Sequence, residues 1–269
     1  MIDRPYFPES DLETARLELK TDIQAVINQS RWAGLKPGMR ILDVGCGPGI
    51  TSSALSTAAQ PGGMVVGIDR SEERVEYARS KYGDENIDFV SRNYFHDLSD
   101  LGEFDFIWVR FVLEFHYQES AQLVKHLAKF LKTGGILCLG DLDYNCMIHC
   151  GHDDRMEKTF QKLATCQMKN NNFDPFAGRR LYQYLFDIGM TEINTDVQPH
   201  HLIYGQLSDF DQWHWWKKIE LAGLFSGHTF EEYEGGYEEF SAEFKKFFTN
   251  PRRFTYTPLI LCRGVKPDG

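Results

Sequence analysis

The sequence predicts an α/β fold in which a doubly wound, mostly parallel sheet carries helices on both faces. Three observations support this fold class. Short apolar stretches alternate with helical stretches over residues 37–144. A glycine-rich turn follows the first apolar strand, and an acidic residue ends the second strand, 20 residues after that turn. We therefore expect polar groups to gather at the carboxyl edge of the sheet, where such folds bind ligands.

The first predicted element is a helix that precedes the sheet. Residues 10–13 read Ser-Asp-Leu-Glu, which has the form of a capping box. Apolar residues then recur at helical spacing, at Leu12, Ala15, Leu19, Ile23, Val26 and Ile27. This pattern predicts an amphipathic helix within a helical cap formed by residues 1–36.

The first strand enters a turn at residues 41–49, Ile-Leu-Asp-Val-Gly-Cys-Gly-Pro-Gly, and Ile50 to Ala59 reads as a helix. Glycines at alternate positions carry no Cβ, so a ligand can lie against the backbone and meet the amides that open the helix. The spacing is not that of a dinucleotide loop, Gly-x-Gly-x-x-Gly. No lysine follows Gly49 until Lys81, so a nucleoside triphosphate loop is not indicated either. The turn predicts a cofactor loop that lacks a phosphate-binding signature.

The second strand, Met64 to Ile68, ends on Asp69, and a helical stretch runs from Glu72 to Lys81. In doubly wound sheets a carboxylate at this distance from the glycine loop accepts hydrogen bonds from ribose hydroxyls. The spacing therefore favours a ligand that contains adenosine.

The stretch at residues 41–49 resembles the first motif of the class I methyltransferases, which use S-adenosyl-L-methionine. That cofactor has a ribose and an amino-acid tail but no phosphates, which agrees with the turn. The resemblance extends along roughly the first two thirds of the chain. It implies a Rossmann-like sheet of seven strands, with strand seven antiparallel. The cofactor-binding residues that it implies in this part of the chain are Asp43, Gly45, Cys46, Gly47, Asp69 and Arg70.

The third and fourth predicted strands are Ile87 to Val90 and Phe104 to Arg110. After the third strand the family usually has an Asp that receives the adenine amino group; here the residue is Asn93, whose amide oxygen can also accept. The Tyr94 backbone is expected to serve the adenine ring. Arg110 ends a buried strand, so we expect it to meet the cofactor carboxylate or a nearby acid.

Two further positions follow from the resemblance. Many relatives have Leu-Glu-His-Leu after the fourth strand, whereas residues 113–116 here are Leu-Glu-Phe-His, so His116 is displaced by one position and is a weak candidate for a base. Residues 13–19 resemble the N-terminal cap of small-molecule methyltransferases. Arg16 is therefore expected to contact the cofactor tail or to form a surface salt bridge.

The fifth predicted strand spans residues 136–140, after a turn at Gly134 and Gly135. The polar groups expected near the cleft are Asp141, Tyr144, His149, His152 and Arg179, and the ones expected to bind the methyl acceptor are Asp141, Tyr144 and Arg179. His200 and His201 lie at the end of the predicted sixth strand, where neighbouring side chains point to opposite faces, so at most one faces the site. We predict no specific catalytic residue.

The remaining segments complete one predicted domain, residues 1–269. Helices are expected at 153–169 and 179–188, and strands six and seven at 192–198 and 254–265, with Pro258 marking a bend or bulge. Residues 37–144 form the cofactor-binding core in this division. Segments 145–177 and 206–250 are lid insertions, and segments 178–205 and 251–265 complete the sheet.

Two lid stretches allow two interpretations each. Residues 230–244 mix six glutamates with five aromatic residues, which indicates either a solvated helix face with an apolar stripe or a mouth that attracts cationic substrates. Residues 213–216 read Trp-His-Trp-Trp, which indicates core packing or a substrate cage.

Composition narrows the class of protein. A formal net charge of −10 argues against nucleic-acid binding, and no apolar run is long enough to span a membrane. The N-terminus does not have the form of a signal peptide, so we expect a cytoplasmic protein. Six scattered cysteines indicate reduced thiols, and the cluster at residues 146–152 lacks the second paired group of a familiar zinc site, so no metal is predicted.

The resulting hypothesis is in-line transfer of a methyl group from S-adenosyl-L-methionine to a small-molecule acceptor. Three alternatives stay open: a non-catalytic protein that binds the cofactor, a protein methyltransferase, and, least favoured, a NAD-type oxidoreductase. The acceptor atom and the oligomeric state do not follow from the sequence.

Overall fold

The computed structural model describes residues 21–268, which contain one sheet of eight strands flanked by helices. The strands are β1 (Arg40–Val44), β2 (Met64–Asp69), β3 (Ile87–Ser91), β4 (Phe104–Arg110), β5 (Leu131–Leu142), β6 (Ile148–Cys150), β7 (Thr191–Tyr204) and β8 (Phe254–Val265). The α-helices are α1 (Ile23–Ala33), α2 (Ile50–Ala59), α3 (Glu72–Tyr82), α4 (Ser120–Leu127), α5 (Asp154–Asn171), α6 (Leu181–Asp187), α7 (Asp209–Phe225) and α8 (Gly236–Phe248).

The strand order is β3-β2-β1-β4-β5-β8, with β7 pairing with β8 and the short β6 pairing with the start of β8. The pairs among β1 to β5 are parallel, and β8 is antiparallel to all three of its neighbours. This confirms the predicted fold class, in which β8 is the antiparallel strand seven. The additional strand is β6, whose three residues are too few to give a period-two pattern.

Local sequence signals account for most helix boundaries. Helix α2 spans the predicted residues because Gly49, at φ 92°, ends the loop in a left-handed conformation. Asp22, Ser71 and Asp153 each cap a helix by accepting a backbone N–H bond on the side chain. The cap at Asp22 corrects the prediction of one helix from Leu12 to Ile27, because the described helix begins at Ile23. The capping box at residues 10–13 and Arg16 lie outside the described residues.

Three apolar clusters hold these elements together. One lies between the sheet and helices α1 to α3, and a second fills the opposite face under α4 and α6. The third cluster is separate from the sheet core and joins α5, α7 and α8. Its largest fully buried side chains are aromatic: Trp215, Phe230, Phe240, Phe244 and Phe248. The two predicted lid insertions therefore share one core.

No helix within residues 21–268 has the length and apolarity needed to cross a membrane.

Candidate cofactor and acceptor site

The loop between β1 and α2 is the centre of the candidate site. Gly45, Gly47 and Gly49 all have positive φ, which side chains of L-residues rarely adopt. A Cβ at Gly45 would lie 2.6 Å from Val112 Cγ2, and one at Gly49 would lie 2.8 Å from Ala78 Cβ. A Cβ at Gly47 would meet no atom within 4 Å. Gly45 and Gly49 therefore permit packing, whereas Gly47 leaves the backbone open towards a ligand.

Asp69 ties the end of β2 to this loop. Its carboxylate Oδ2 accepts a hydrogen bond from the Gly47 amide at 3.0 Å, and Oδ1 accepts one from the Ser71 amide at 2.9 Å. A carboxylate has about four acceptor positions, so two remain for other donors. Arg70, the next residue, is exposed beside it. The sequence correctly anticipated that the glycine loop and the Asp69 carboxylate would lie together.

Asp43 lies in β1, two residues before Gly45 of the loop, and its side chain is buried. The Ser52 hydroxyl donates to its Oδ2 at 2.6 Å, which joins β1 to α2. Burial raises the pKa of Asp43 to about 7, although the Ser52 hydrogen bond and the Arg110 charge oppose the shift. The Cys46 thiol is also buried, and desolvation raises its pKa well above the ordinary value. Neither side chain has the exposure of a reactive group.

Arg110 ends β4 on the other side of the loop. Desolvation lowers the pKa of its guanidinium to about 10, while Asp43, Asp141 and Asp22 act in the opposite direction. Its Cζ lies 4.2 Å from the centroid of the Phe111 ring. Its Nε is buried and has no hydrogen-bond partner within residues 21–268. An enclosed donor of this kind suits an anionic group of a bound ligand.

The predicted adenine region lies after β3. Asn93 is exposed, and its Oδ1 accepts the Phe95 amide at 3.0 Å. The Tyr94 hydroxyl is 2.7 Å from His116 Nε2. Burial raises the pKa of Tyr94 to about 12 and lowers the pKa of His116 to about 4. His116 is therefore neutral near pH 7, and its contact with Tyr94 indicates a packing role.

The three predicted acceptor residues differ in their surroundings. Asp141 is fully buried, and its oxygens accept the amides of Glu114 and Leu142 at 3.2 and 3.1 Å, so it orders the loop after β4. Arg179 donates two hydrogen bonds to the Asp143 carboxylate, from Nε to Oδ1 at 2.7 Å and from Nη2 to Oδ2 at 3.1 Å. Tyr144 lines a cavity of about 290 Å³ near β6. Of the three, Tyr144 is the residue that lines this cavity.

The sequence did not anticipate the arrangement of His200 and His201. A β-bulge between Pro199 and His201 inserts His200 as an extra residue of β7. The two imidazole centroids are 4.5 Å apart, and the His200 ring also packs against Phe111 at 5.0 Å. Adjacent rings therefore reach the same region, which contradicts the expectation that they face opposite ways. The proline at position 199 was the one available signal, since proline in a strand often marks a bulge.

Among the lid residues with metal-ligand chemistry, His149 packs against the aromatic core of the lid. His149 makes hydrogen bonds through both ring nitrogens, to Thr255 Oγ1 at 2.8 Å and to the Cys146 carbonyl at 3.1 Å. Burial lowers the pKa of His149 to about 3. Across the described part of the chain, no group of three His, Cys, Asp or Glu side chains is arranged to hold a metal ion.

Ion pairs account for much of the acidic stretch at residues 230–244. Arg155 pairs with Glu239 and Glu243, and Lys162 pairs with Glu231 and Glu232. The aromatic residues between these acids enter the lid core. These contacts favour the solvated, apolar-striped helix over the cation-attracting mouth.

The Trp-rich stretch at residues 213–216 divides in a similar way. Trp215 is 1% exposed, whereas Trp213 is 49% exposed, so the tryptophans do not form one cage. Packing of Trp215 in the lid core is the dominant arrangement.

Comparison with known proteins agrees with this geometry. Residues 41–135, from β1 into β5, match a family model described as a methyltransferase domain. Over these residues the chain is similar to a methyltransferase domain. This confirms the resemblance seen in the glycine loop, and the cofactor of that family is S-adenosylmethionine.

Curated relatives share part of the chain. An uncharacterised 37.1 kDa protein in a transposon of Streptomyces fradiae is 30% identical over 185 residues, which cover 63% of this chain and 51% of the relative. The ubiquinone biosynthesis O-methyltransferase of Coxiella burnetii is 32% identical over 110 residues, which cover 40% of this chain and 45% of that enzyme. The chain thus spans about half the length of these relatives.

Among solved structures, a phosphoethanolamine N-methyltransferase of Haemonchus contortus, in complex with S-adenosylhomocysteine, superposes with a TM-score of 0.58. The identity is 16%, and the match covers 99% of this chain and 60% of that one. At this identity the similarity establishes the shared Rossmann-like fold.

Proposed function

We propose that this protein transfers the methyl group of S-adenosylmethionine to a small-molecule acceptor. The observation that carries the proposal is the open backbone at Gly47, held against the Asp69 carboxylate. This arrangement offers a ribose a backbone surface without a side chain and two spare carboxylate acceptor positions, with no lysine for a phosphate. The methyltransferase family model and the O-methyltransferase relative support it.

In the proposed complex, Asp69 accepts hydrogen bonds from the ribose diol and Arg70 flanks it. Asn93 and the backbone at Tyr94 receive the adenine, next to the loop formed by Gly45, Cys46 and Gly47. The buried Nε of Arg110 binds the cofactor carboxylate, with Asp43 holding Arg110 in place by charge. Arg16 is a further proposed contact of that carboxylate, and it lies outside the described residues.

The cofactor supplies an electrophilic methyl group on a sulfonium. The residues of the chain orient the acceptor and exclude water, which is the main requirement of an in-line displacement. The carboxyl end of β4 lies at the topological switch point between β1 and β4, where doubly wound sheets bind ligands. Phe111, directly after β4, is therefore the proposed floor of the acceptor site, beneath the lid.

His200 is the proposed base for acceptors that must lose a proton. Its ring contacts Phe111 at 5.0 Å, which puts an imidazole beside the proposed acceptor position. Asp141 is a weaker proposal for this role, because both of its oxygens are engaged by backbone amides. Tyr144 and Arg179 are proposed to contact the outer part of the acceptor.

Binding measurements test the cofactor proposal most directly. Titration calorimetry with S-adenosylhomocysteine should show binding to the wild-type chain. Asp69→Ala should weaken that binding by roughly 10- to 100-fold, because hydrogen bonds to a charged group contribute about 1.5–3 kcal/mol each. Asp88→Ala is the matched control, since Asp88 is an exposed carboxylate on the neighbouring strand β3.

The alternatives give different results in the same experiments. A NAD-type oxidoreductase would be stabilised by NAD and not by S-adenosylhomocysteine. A non-catalytic binding protein would bind the cofactor but transfer no label from methyl-labelled S-adenosylmethionine to fractionated metabolites. A protein methyltransferase would transfer the label to macromolecules instead. Absence of cofactor binding by folded wild-type protein contradicts the proposal.

A further inference from the structure

A cysteine and a lysine meet between the two lid segments, away from the cofactor loop. Lys218 Nζ lies 2.6 Å from Cys146 Sγ, although the two residues are 72 positions apart in the chain. Cys146 belongs to the turn that follows β5, and Lys218 lies in the middle of α7. This is closer than an ordinary hydrogen bond to sulfur, and it brings an amine to a thiol.

Several contacts hold this pair in position. Cys146 has a φ of 63°, in a turn closed by a 3.0 Å hydrogen bond from the Met147 amide to the Tyr144 carbonyl. The Lys218 ammonium lies 5.1 Å from the centroid of the Trp215 ring, and Trp215 is buried in the lid core. Both members of the pair are half-buried, so a small solute can reach them. The contact is therefore a fixed feature of the lid.

We propose that Cys146 and Lys218 form a reversible sulfenamide cross-link when the protein meets a hydroperoxide. The Cys146 sulfur first attacks a peroxide oxygen: an S–O bond forms, the O–O bond breaks, and the peroxide is reduced as Cys146 becomes a sulfenic acid. The unprotonated Lys218 amine then attacks that sulfur. The S–N bond forms, the S–O bond breaks, and the hydroxyl leaves with the amine proton as water. With hydrogen peroxide the sum is one thiol and one amine converted to one sulfenamide and two waters.

The cross-link would fix the lid against the end of the sheet. Cys146 follows Asn145, whose Nδ2 donates to Glu114 Oε2 at 2.8 Å in the loop after β4. A covalent bond from this turn to α7 therefore ties the lid to the region of the proposed acceptor site. The inference concerns the protein's own side chains and stands whether or not methyl transfer is the activity.

Mass spectrometry of the full chain tests this inference. After treatment with equimolar hydrogen peroxide, the intact mass should fall by two hydrogen atoms, and digestion should release one peptide pair joined through Cys146 and Lys218. Dithiothreitol should restore the original mass. The Lys218→Arg variant keeps the positive charge but lacks a nucleophilic amine, so its joined peptides should fall at least about tenfold, while Cys146 stops at the sulfenic acid that one equivalent of peroxide produces.

Two controls separate this reaction from general oxidation. Cys146→Ser should abolish the joined peptides, and Cys150→Ser should leave them unchanged, because Cys150 is exposed and is not part of the contact between Cys146 and Lys218. Circular dichroism establishes that each variant is folded. Equal yields from wild type and Lys218→Arg, or wild-type protein in which Cys146 gains oxygen atoms without any joined peptide, would overturn the proposal.

Discussion

The cofactor loop and the lid are built in opposite ways. The loop region brings together side chains from β1, α2 and β2 that are close in sequence; Ser52 and Asp43 are nine positions apart, and Gly47 and Asp69 are 22 apart. The lid joins residues much further apart, such as Arg155 and Glu239, which are 84 apart. A short motif therefore specifies the first region, whereas only the folded chain defines the second.

Their charges differ as well. Asp43 and Arg110 near the cofactor loop are enclosed, and their pKa values shift towards the neutral forms through desolvation. The charged groups of the lid pair with one another at its surface. The buried charges near the loop are thus costly to bury, and a charged ligand could pair with them. The charges on the lid surface mostly pair with one another.

The largest expected effect is a loss of folding stability from a change in the lid core that leaves the affinity of the cofactor loop unchanged. Phe244→Ala should reduce the free energy of unfolding by about 3–5 kcal/mol, because it leaves a cavity in the aromatic core of the lid. Denaturant unfolding measures this loss. Affinity for S-adenosylhomocysteine, measured on the fraction that stays folded, should change little. A proportionate loss of affinity would mean that the two regions are not separable.

The next contrast lies within the glycine loop. Gly49→Ala should destabilise the protein by about 2–4 kcal/mol, because its Cβ would press on Ala78 and Phe89 at a φ of 92°. Gly47→Ala should cost only about 1 kcal/mol, since its Cβ meets no protein atom, yet it should weaken cofactor binding more strongly. Thermal unfolding and calorimetry on both variants measure the two effects. If both variants lost stability alone, the open face of Gly47 would not be a ligand surface.

The pH dependence of folding stability tests the difference between the buried charges near the loop and the exposed charges elsewhere. The folded-state pKa of Asp43, raised from 3.8 to about 7, means that folded protein binds a proton more tightly than unfolded protein does. The contribution of Asp43 to the free energy of unfolding is therefore fully present at low pH and is lost as the pH rises from about 4 to about 7. Asp43→Asn should remove this part of the pH dependence, so that the free energy of unfolding no longer falls between about pH 4 and pH 7 because of this group. The exposed Asp88→Asn variant should follow the wild-type pH profile.

The smallest effect is expected on the surface of the lid. Arg155→Met removes two partly exposed ion pairs, which contribute little because water and salt screen them. Its melting temperature should change less than that of any variant above. A larger shift would show that the acidic stretch depends on Arg155 to stay folded.

The predictions from the sequence were accurate where a short local pattern of residues is enough to define the element. Helix α2 and strand β4 have the predicted boundaries, since a glycine turn or a continuous apolar run defines each of them. They were inaccurate at Asp22, where a helix cap interrupts a continuous apolar period, and at β6, which has three residues. The roles of the individual cofactor and acceptor residues, and the cytoplasmic location, remain predictions.

The fold class, the glycine loop and its partner Asp69 could be predicted from the amino-acid sequence, because these depend on backbone conformation and on residues joined by one strand–helix–strand unit. The tertiary structure alone decided the bulge that gathers His200 and His201, the aromatic core of the lid and the contact of Cys146 with Lys218. Each of these depends on strand register or helix packing between distant segments. Apart from Pro199, which signals the bulge, such contacts leave no pattern within one segment of the chain.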